Sequence, residues 1–137
     1  MKYLLDTNVI SNVIKYPERD AANQVAQTRA GELWTSIIVS AELKFGYTKV
    51  SSDRLKRLVE GVLASFEIAP WDSPADQVYA RLRTDLEKSA RPISQNDMLI
   101  AAHALALDAV LVTANEGEFS RVSGLKVENW VRARYGP

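Results

Sequence analysis

Asp6, Glu42, Asp97 and Asn115 carry oxygen-bearing side chains in or beside apolar segments, and the 137-residue chain has little else with which to do chemistry. It contains no cysteine and one histidine, His103. A thiolate nucleophile, a disulfide framework, a cysteine-type zinc site and a multi-histidine site are therefore excluded. Carboxylate-based hydrolysis is the chemistry that remains to be considered first. Carboxylates brought together without a cation repel one another and bind protons more tightly. A hard divalent ion resolves that conflict. Mg²⁺ takes oxygen ligands and is commonly held by one or two carboxylates together with phosphate oxygens, which suits this set. Such an ion can activate water and neutralise charge on a phosphodiester.

Each residue also has a plainer reading. Asp6-Thr7-Asn8 fits a helix N-cap, and Ser94-Gln95-Asn96-Asp97 matches the S-x-x-[DE] capping box. Glu42 fits a solvated helix face with Lys44 and Lys49 nearby, although Ala41 and Leu43 flank it, and Asn115-Glu116-Gly117 fits a turn. His103 follows Asp97 by six residues, so it points to a different helical face and is expected as a buried, hydrogen-bonded side chain. No one position decides between the readings.

The elements that must place these residues follow from apolar spacing. Tyr3-Leu4-Leu5 reads as a buried strand ending at Asp6, and Val9, Ile10, Val13 and Ile14 have helical spacing up to the break at Pro17. A second helix is expected over Asp20 to Ala30, a brief strand at Leu33-Trp34-Thr35, and a helix from Ser36 that contains Glu42. Ser51-Ser52-Asp53 caps a helix whose Leu55, Leu58, Val59, Val62, Leu63 and Phe66 form one apolar stripe. Glu67-Ile68-Ala69 is a short strand, and a helix through Val78, Tyr79, Leu82 and Leu86 follows the turn at Pro70 to Pro74. Ser94 to Ala106 is a helix with Met98, Leu99, Ala102 and Leu105 inward, and Ala109 to Thr113 is a strand buried on both faces that ends at Asn115. Leu125 to Glu128 adds an edge strand. Strands alternating with helices predict an α/β sandwich with a mainly parallel sheet, whose ligands bind at the carboxyl ends of strands.

With 47% hydrophobic residues the chain is expected to form one domain over 1–137. Its 17 basic and 17 acidic side chains balance, so any attraction to a polyanion must come from local patches. The run after Met1 is short and broken by Asp6, unlike a signal peptide or a membrane span, and a cytoplasmic location with no membrane association is expected.

Four segments together resemble the PIN-domain nucleases, most closely the VapC-type toxins of toxin-antitoxin pairs. They are Tyr3 to Ser11, Ser40 to Tyr47, Asn96 to Ala104 and Leu111 to Phe119, with Gly124-Leu125 and Glu128-Asn129-Trp130 beyond. The resemblance implies a PIN-like α/β/α sandwich and a metal-dependent endoribonuclease. It further implies Asp6, Glu42 and Asp97 as the acidic site, with Asp6 and Asp97 holding Mg²⁺ or Mn²⁺ and Asn115 beside them. Many members have Asp where this chain has Asn115, an oxygen without a charge that suits a water or a substrate phosphate better than a second ion. Glu118 resembles an acidic residue that some VapC-type toxins place just after this strand, and it would supply the charge Asn115 lacks. Thr7 and Ser11 look, by position, like hydroxyls that support Asp6. RNA as substrate, structured RNA such as tRNA among the options, a cognate antitoxin and a homodimer are implied in the same way, with the apolar faces Val9 to Ile14 and Leu55 to Leu63 as candidate contacts. Two rival classes remain. An aspartate phosphoacceptor also places Asp at a strand end, but a dehalogenase-type phosphatase wants a second Asp where this chain has Asn8, and no obvious receiver-type Lys follows the last central strand. A non-catalytic PIN-type module acting with a DNA-binding partner is the other.

Overall fold

The computed structural model describes residues 1–131. Positions 132–137 of the domain expected over 1–137 lie outside the described residues. Five strands, β1 (Tyr3–Leu5), β2 (Leu33–Ser36), β3 (Glu67–Ala69), β4 (Val110–Val112) and β5 (Val127–Glu128), form one sheet in the order β3-β2-β1-β4-β5. Every pairing is parallel, with Leu4 opposite both Trp34 and Leu111. The expectation of a mainly parallel sheet is met by an entirely parallel one among the described residues.

Parallel neighbours need long crossovers, which here are helical. α1 (Thr7–Lys15) and α2 (Asp20–Gln27) join β1 to β2, and α3 (Ile37–Lys49) and α4 (Asp53–Leu63) join β2 to β3. α5 (Ala75–Lys88) and α6 (Gln95–Ala106) then carry the chain back across β1 to β4, and the one-turn α7 (Glu116–Phe119) precedes β5. Parallel crossovers are right-handed in nearly all proteins, and by that rule runs in opposite directions across the sheet put the two helix groups on opposite faces, which makes a sandwich. α1, α3 and α4 pack on one another, as do α5 and α6.

The central strands are buried on both sides, as their unbroken apolar runs require: Leu4, Leu5, Leu111 and Val112 have no exposed surface. α1 contributes Val9 and Ile10 to the core. α6 buries Met98, Ile100, Ala101, Ala102 and Ala104, a broader face than expected, and Leu99 and Leu105 are only half-buried. Its alanines let the helix lie close to its neighbours. Among the described residues no helix is long and apolar enough to cross a membrane.

Two helix ends differ from expectation. α2 stops at Gln27 rather than Ala30, because Thr28 turns extended (φ −85°, ψ 139°) and its hydroxyl donates to the Gln24 carbonyl at 2.6 Å. α4 stops at Leu63, and Phe66 reaches the core from the following turn. The segment after β4, expected as a turn, winds into α7.

Candidate active site

The chain leaves β1 toward β2 on one side and returns to β4 on the other, so the sheet's switch point lies between β1 and β4. Open parallel sheets bind ligands outside the carboxyl ends of strands at such a point. There the first residues beyond the strands are Asp6 and the run Thr113 to Asn115.

Asp6 is buried and is the N-cap of α1; its Oδ1 accepts the Thr7 backbone N–H at 2.8 Å and its Oδ2 accepts the Thr113 hydroxyl at 2.9 Å. Its own N–H donates to the Val112 carbonyl at 2.9 Å, which stitches the exit of β1 to β4. Burial pushes its carboxyl above the ordinary Asp range, the two hydrogen bonds offset part of this, and the nearby Glu42 charge adds to it. The plain capping role is thus real. It coexists with a carboxylate under electrostatic pressure.

Glu42 comes from α3, one helix over. Its Oε2 accepts the Thr7 hydroxyl at 2.5 Å and its Oε1 accepts the side-chain amide of Asn96. Thr7 therefore supports Asp6 through its backbone, while its hydroxyl serves Glu42, which differs from the expected hydroxyl contact to Asp6. Ser11 makes no such contact either: one helical turn along α1, it lines a groove beside Glu42.

Asp97 lies in the first turn of α6, and the capping interaction is present, with the Ser94 hydroxyl accepting the Asp97 N–H at 3.2 Å. Its carboxyl is nevertheless pushed up to about 7 by burial, by a hydrogen bond shared with Glu118, and by the charges of Asp6 and Glu118. Glu118 moves the other way, held below the ordinary range by that hydrogen bond, by the Asn115 amide and by Arg121. Of the two carboxyls, Asp97 therefore binds a proton more readily than Glu118. The Asn115 amide nitrogen donates to Glu118 Oε2 at 2.8 Å and faces Asp97 Oδ2 at 3.4 Å. Asn115 thus bridges two acids through its amide nitrogen.

The sequence reading missed Thr113, Asn8 and Asn96. Thr113 has no exposed surface; besides donating to Asp6, its oxygen accepts the Asn115 N–H at 3.0 Å and faces the Asn8 amide nitrogen at 3.4 Å. Asn8 also accepts the Ala114 N–H at 3.0 Å. Their only linear signal is adjacency, since each sits within two positions of a candidate acid or amide. His103 is buried as expected, with Nδ1 at 2.8 Å from the Ser36 hydroxyl, and burial lowers its proton affinity.

Among the described residues, no three Asp, Glu, His or Cys side chains already form a closed metal cage. The donors on hand are hard oxygens from Asp6 and Asp97 whose negative charge the protein itself leaves poorly compensated. That fits Mg²⁺ or Mn²⁺, which need only one or two protein carboxylates and complete their shells with water and phosphate.

A groove of about 590 Å³ opens beside Glu42 between α1, α3 and α4. Ile14, Leu43, Leu55, Leu58 and Val59 form its apolar wall, with Lys15 and Arg54 also lining it.

Residues 3–125 match the family model described as "PIN domain". The chain is 36% identical to "Ribonuclease VapC2" of Rickettsia felis over 132 residues, covering 95% of this chain and 98% of that protein. It is 29% identical to "tRNA(fMet)-specific endonuclease VapC" of Shigella flexneri over 131 residues, covering 95% and 98%. The crystal structure of DNA-bound VapBC from Salmonella typhimurium superposes with a TM-score of 0.89 at 29% identity, over 95% of this chain and 98% of that one. The family match and the similarity in sequence and fold over nearly the whole length agree: the chain belongs to the PIN-domain family, among its VapC ribonucleases.

Proposed function

We propose that the protein is a divalent-metal-dependent endoribonuclease, the toxin of a toxin-antitoxin pair acting in the cytoplasm. The observation that carries the reading is the convergence of Asp6, Glu42, Asp97 and Glu118 at the switch point, with Asp97 pushed up to about 7 by burial and then by its acidic neighbours. Asp6 and Asp97 would hold Mg²⁺ or Mn²⁺. Bound there, the ion would supply activation of water and charge neutralisation on the scissile phosphate. Asp6 is oriented for this by the Thr7 N–H and the Thr113 hydroxyl. Glu42, fixed by Thr7 and Asn96, keeps lone pairs free to accept a hydrogen from a water attacking phosphorus. Asn115 holds Glu118 against Asp97, and the raised proton affinity of Asp97 makes it the acid hardest to ionise in the site.

RNA is the substrate class, which the names of the relatives support, and a structured RNA such as tRNA is the narrower reading. An antitoxin segment is the occupant we assign to the groove beside Glu42. Apolar side chains would lie on Leu43, Leu55, Leu58 and Val59, and acidic ones would meet Lys15 and Arg54. Within the two faces singled out from sequence, Val9 and Ile10 are core residues, which leaves Ile14, Leu55 and Leu58 for a partner. A homodimer is part of the proposal, supported by Ile37 and Phe45 of α3, which are 47% and 66% exposed.

The test is incubation of the purified, partner-free protein with total RNA, with either ion or with chelator. Cleavage should appear with the ion, vanish on chelation and return when the ion is restored. An absence of cleavage with both ions would favour the non-catalytic binding module.

A further inference from the structure

We propose that Asn8 is a positioning residue of the acidic site, acting on Asp6 through the Thr113 hydroxyl. The inference deepens the endoribonuclease reading and rests on it for its kinetic arm. Asn8 follows the N-cap Asp6 by two residues, on the first turn of α1, and its side chain reaches across to the exit of β4. The orientation of its amide is settled by chemistry. Its Oδ1 lies 3.0 Å from the Ala114 backbone nitrogen, which can only donate, so Oδ1 is the acceptor and Nδ2 is the atom facing Thr113 Oγ1 at 3.4 Å.

Thr113 then has no freedom left. Its oxygen accepts from the Asn115 N–H at 3.0 Å and faces the Asn8 amide, and a hydroxyl carries one hydrogen and two lone pairs. With both lone pairs addressed by donors, the single hydrogen points at Asp6 Oδ2, 2.9 Å away. Asn8 is exposed, and these two hydrogen bonds, to Thr113 and Ala114, are what its side chain contributes. It also ties the Ala114–Asn115 segment, and with it Glu118, to the helix that begins at Asp6.

Asn8→Asp separates this role from mere shape. The carboxylate is isosteric and still accepts the Ala114 N–H, but it offers Thr113 an acceptor in place of a donor. The one hydroxyl hydrogen is then contested between Asp6 and residue 8. Supporting partners of this kind typically cost about 10- to 100-fold in activity when altered. We expect Asn8→Asp to fold, to lose kcat by about tenfold or more, and to keep KM within about twofold. In a Thr113→Val background, Asn8→Asp should cost little further kcat, because the relay is already cut. Multiplying effects in the double variant, or an Asn8→Asp kcat within about twofold of wild type, would overturn the proposal.

A second measurement needs no RNA cleavage and so separates this proposal from the function it refines. Ala114 is exposed, and its amide is protected by Asn8. Its hydrogen exchange in the metal-free protein should accelerate about tenfold or more in Asn8→Ala. An Ala114 amide that exchanges equally fast in wild type and variant refutes the Asn8 clamp whether or not the protein cuts RNA. A protein that cuts no RNA but shows the expected exchange refutes the ribonuclease reading and leaves the clamp standing.

Discussion

Asp97 is the residue at which the capping and chemical readings compete most directly: its N–H is capped by Ser94, while burial and the neighbouring Glu118 and Asp6 raise the proton affinity of its carboxyl. The two roles separate by mutation. Ser94→Ala should cost about 1 kcal/mol of stability, a typical loss for an N-cap, and reduce cleavage far less than Asp97→Asn. Asp97→Asn keeps the shape but not the charge, so it should fold and lose cleavage by orders of magnitude. Thermal midpoints and RNA cleavage rates of both variants check this, and a folded Asp97→Asn protein with wild-type cleavage would remove Asp97 from the site. The same carboxyl sets a pH dependence. Its proton affinity is raised on folding, from 3.8 to about 7, so the folded state binds a proton that the unfolded state releases. Its stabilising contribution is complete below about 4 and is lost as pH rises to about 7. Glu118, shifted downward, acts in the opposite sense at the acidic end, and His103, also lowered, does so below about 6.5. The clean observable is therefore a difference. In chelator, the stability of wild type relative to Asp97→Asn should fall between pH 5 and 7 and then level off. A difference that rises over that interval would mean Asp97 is not the group holding the proton.

At the scale of elements, α7 is the smallest piece of the fold and brings Glu118 to the site. Four residues cannot hold a helix by propensity alone, and what fixes this one is Phe119, which has no exposed surface. Phe119→Ala should cost about 3–5 kcal/mol, the usual range for emptying a buried aromatic site, and loosen Glu118 from Asp97. Denaturant unfolding measures the first effect, and a loss below about 1 kcal/mol would contradict the packing described. α7 was not legible in the sequence, because one turn is too short to display a period and Asn115-Glu116-Gly117 looks like any turn. The longer elements were legible for the opposite reason. β1 and β4 are unbroken apolar runs, and α1, α4 and α5 extend over enough turns for their apolar stripes to repeat. Asp6 and Asn115 could be placed because they end those strands. Thr113, Asn8 and Asn96 could not, since their partners lie 107, 105 and 54 positions away along the chain, at Asp6, Thr113 and Glu42, and only the assembled fold brings them together. The roles expected for the Thr7 and Ser11 hydroxyls differ for the same reason: the first turn of α1 faces α3 as well as β4, and linear spacing does not say which neighbour each hydroxyl meets.

For the whole molecule, 17 basic and 17 acidic side chains cancel, so the protein carries no general field for nucleic acid, and its acidic site is repulsive to a phosphate unless a cation intervenes. The divalent ion we propose at Asp6 and Asp97 would supply that cation. A ligand that binds the folded state alone raises its stability. The most direct measurement is the thermal midpoint of wild type and Asp6→Asn with and without Mn²⁺, taken together with RNA cleavage. Mn²⁺ should raise the wild-type midpoint. Asp6→Asn should abolish cleavage and shrink the Mn²⁺ shift while leaving the metal-free protein as stable as wild type or slightly more so. An Asp6→Asn protein that cleaves RNA at the wild-type rate, or that keeps the full Mn²⁺ shift, would contradict it.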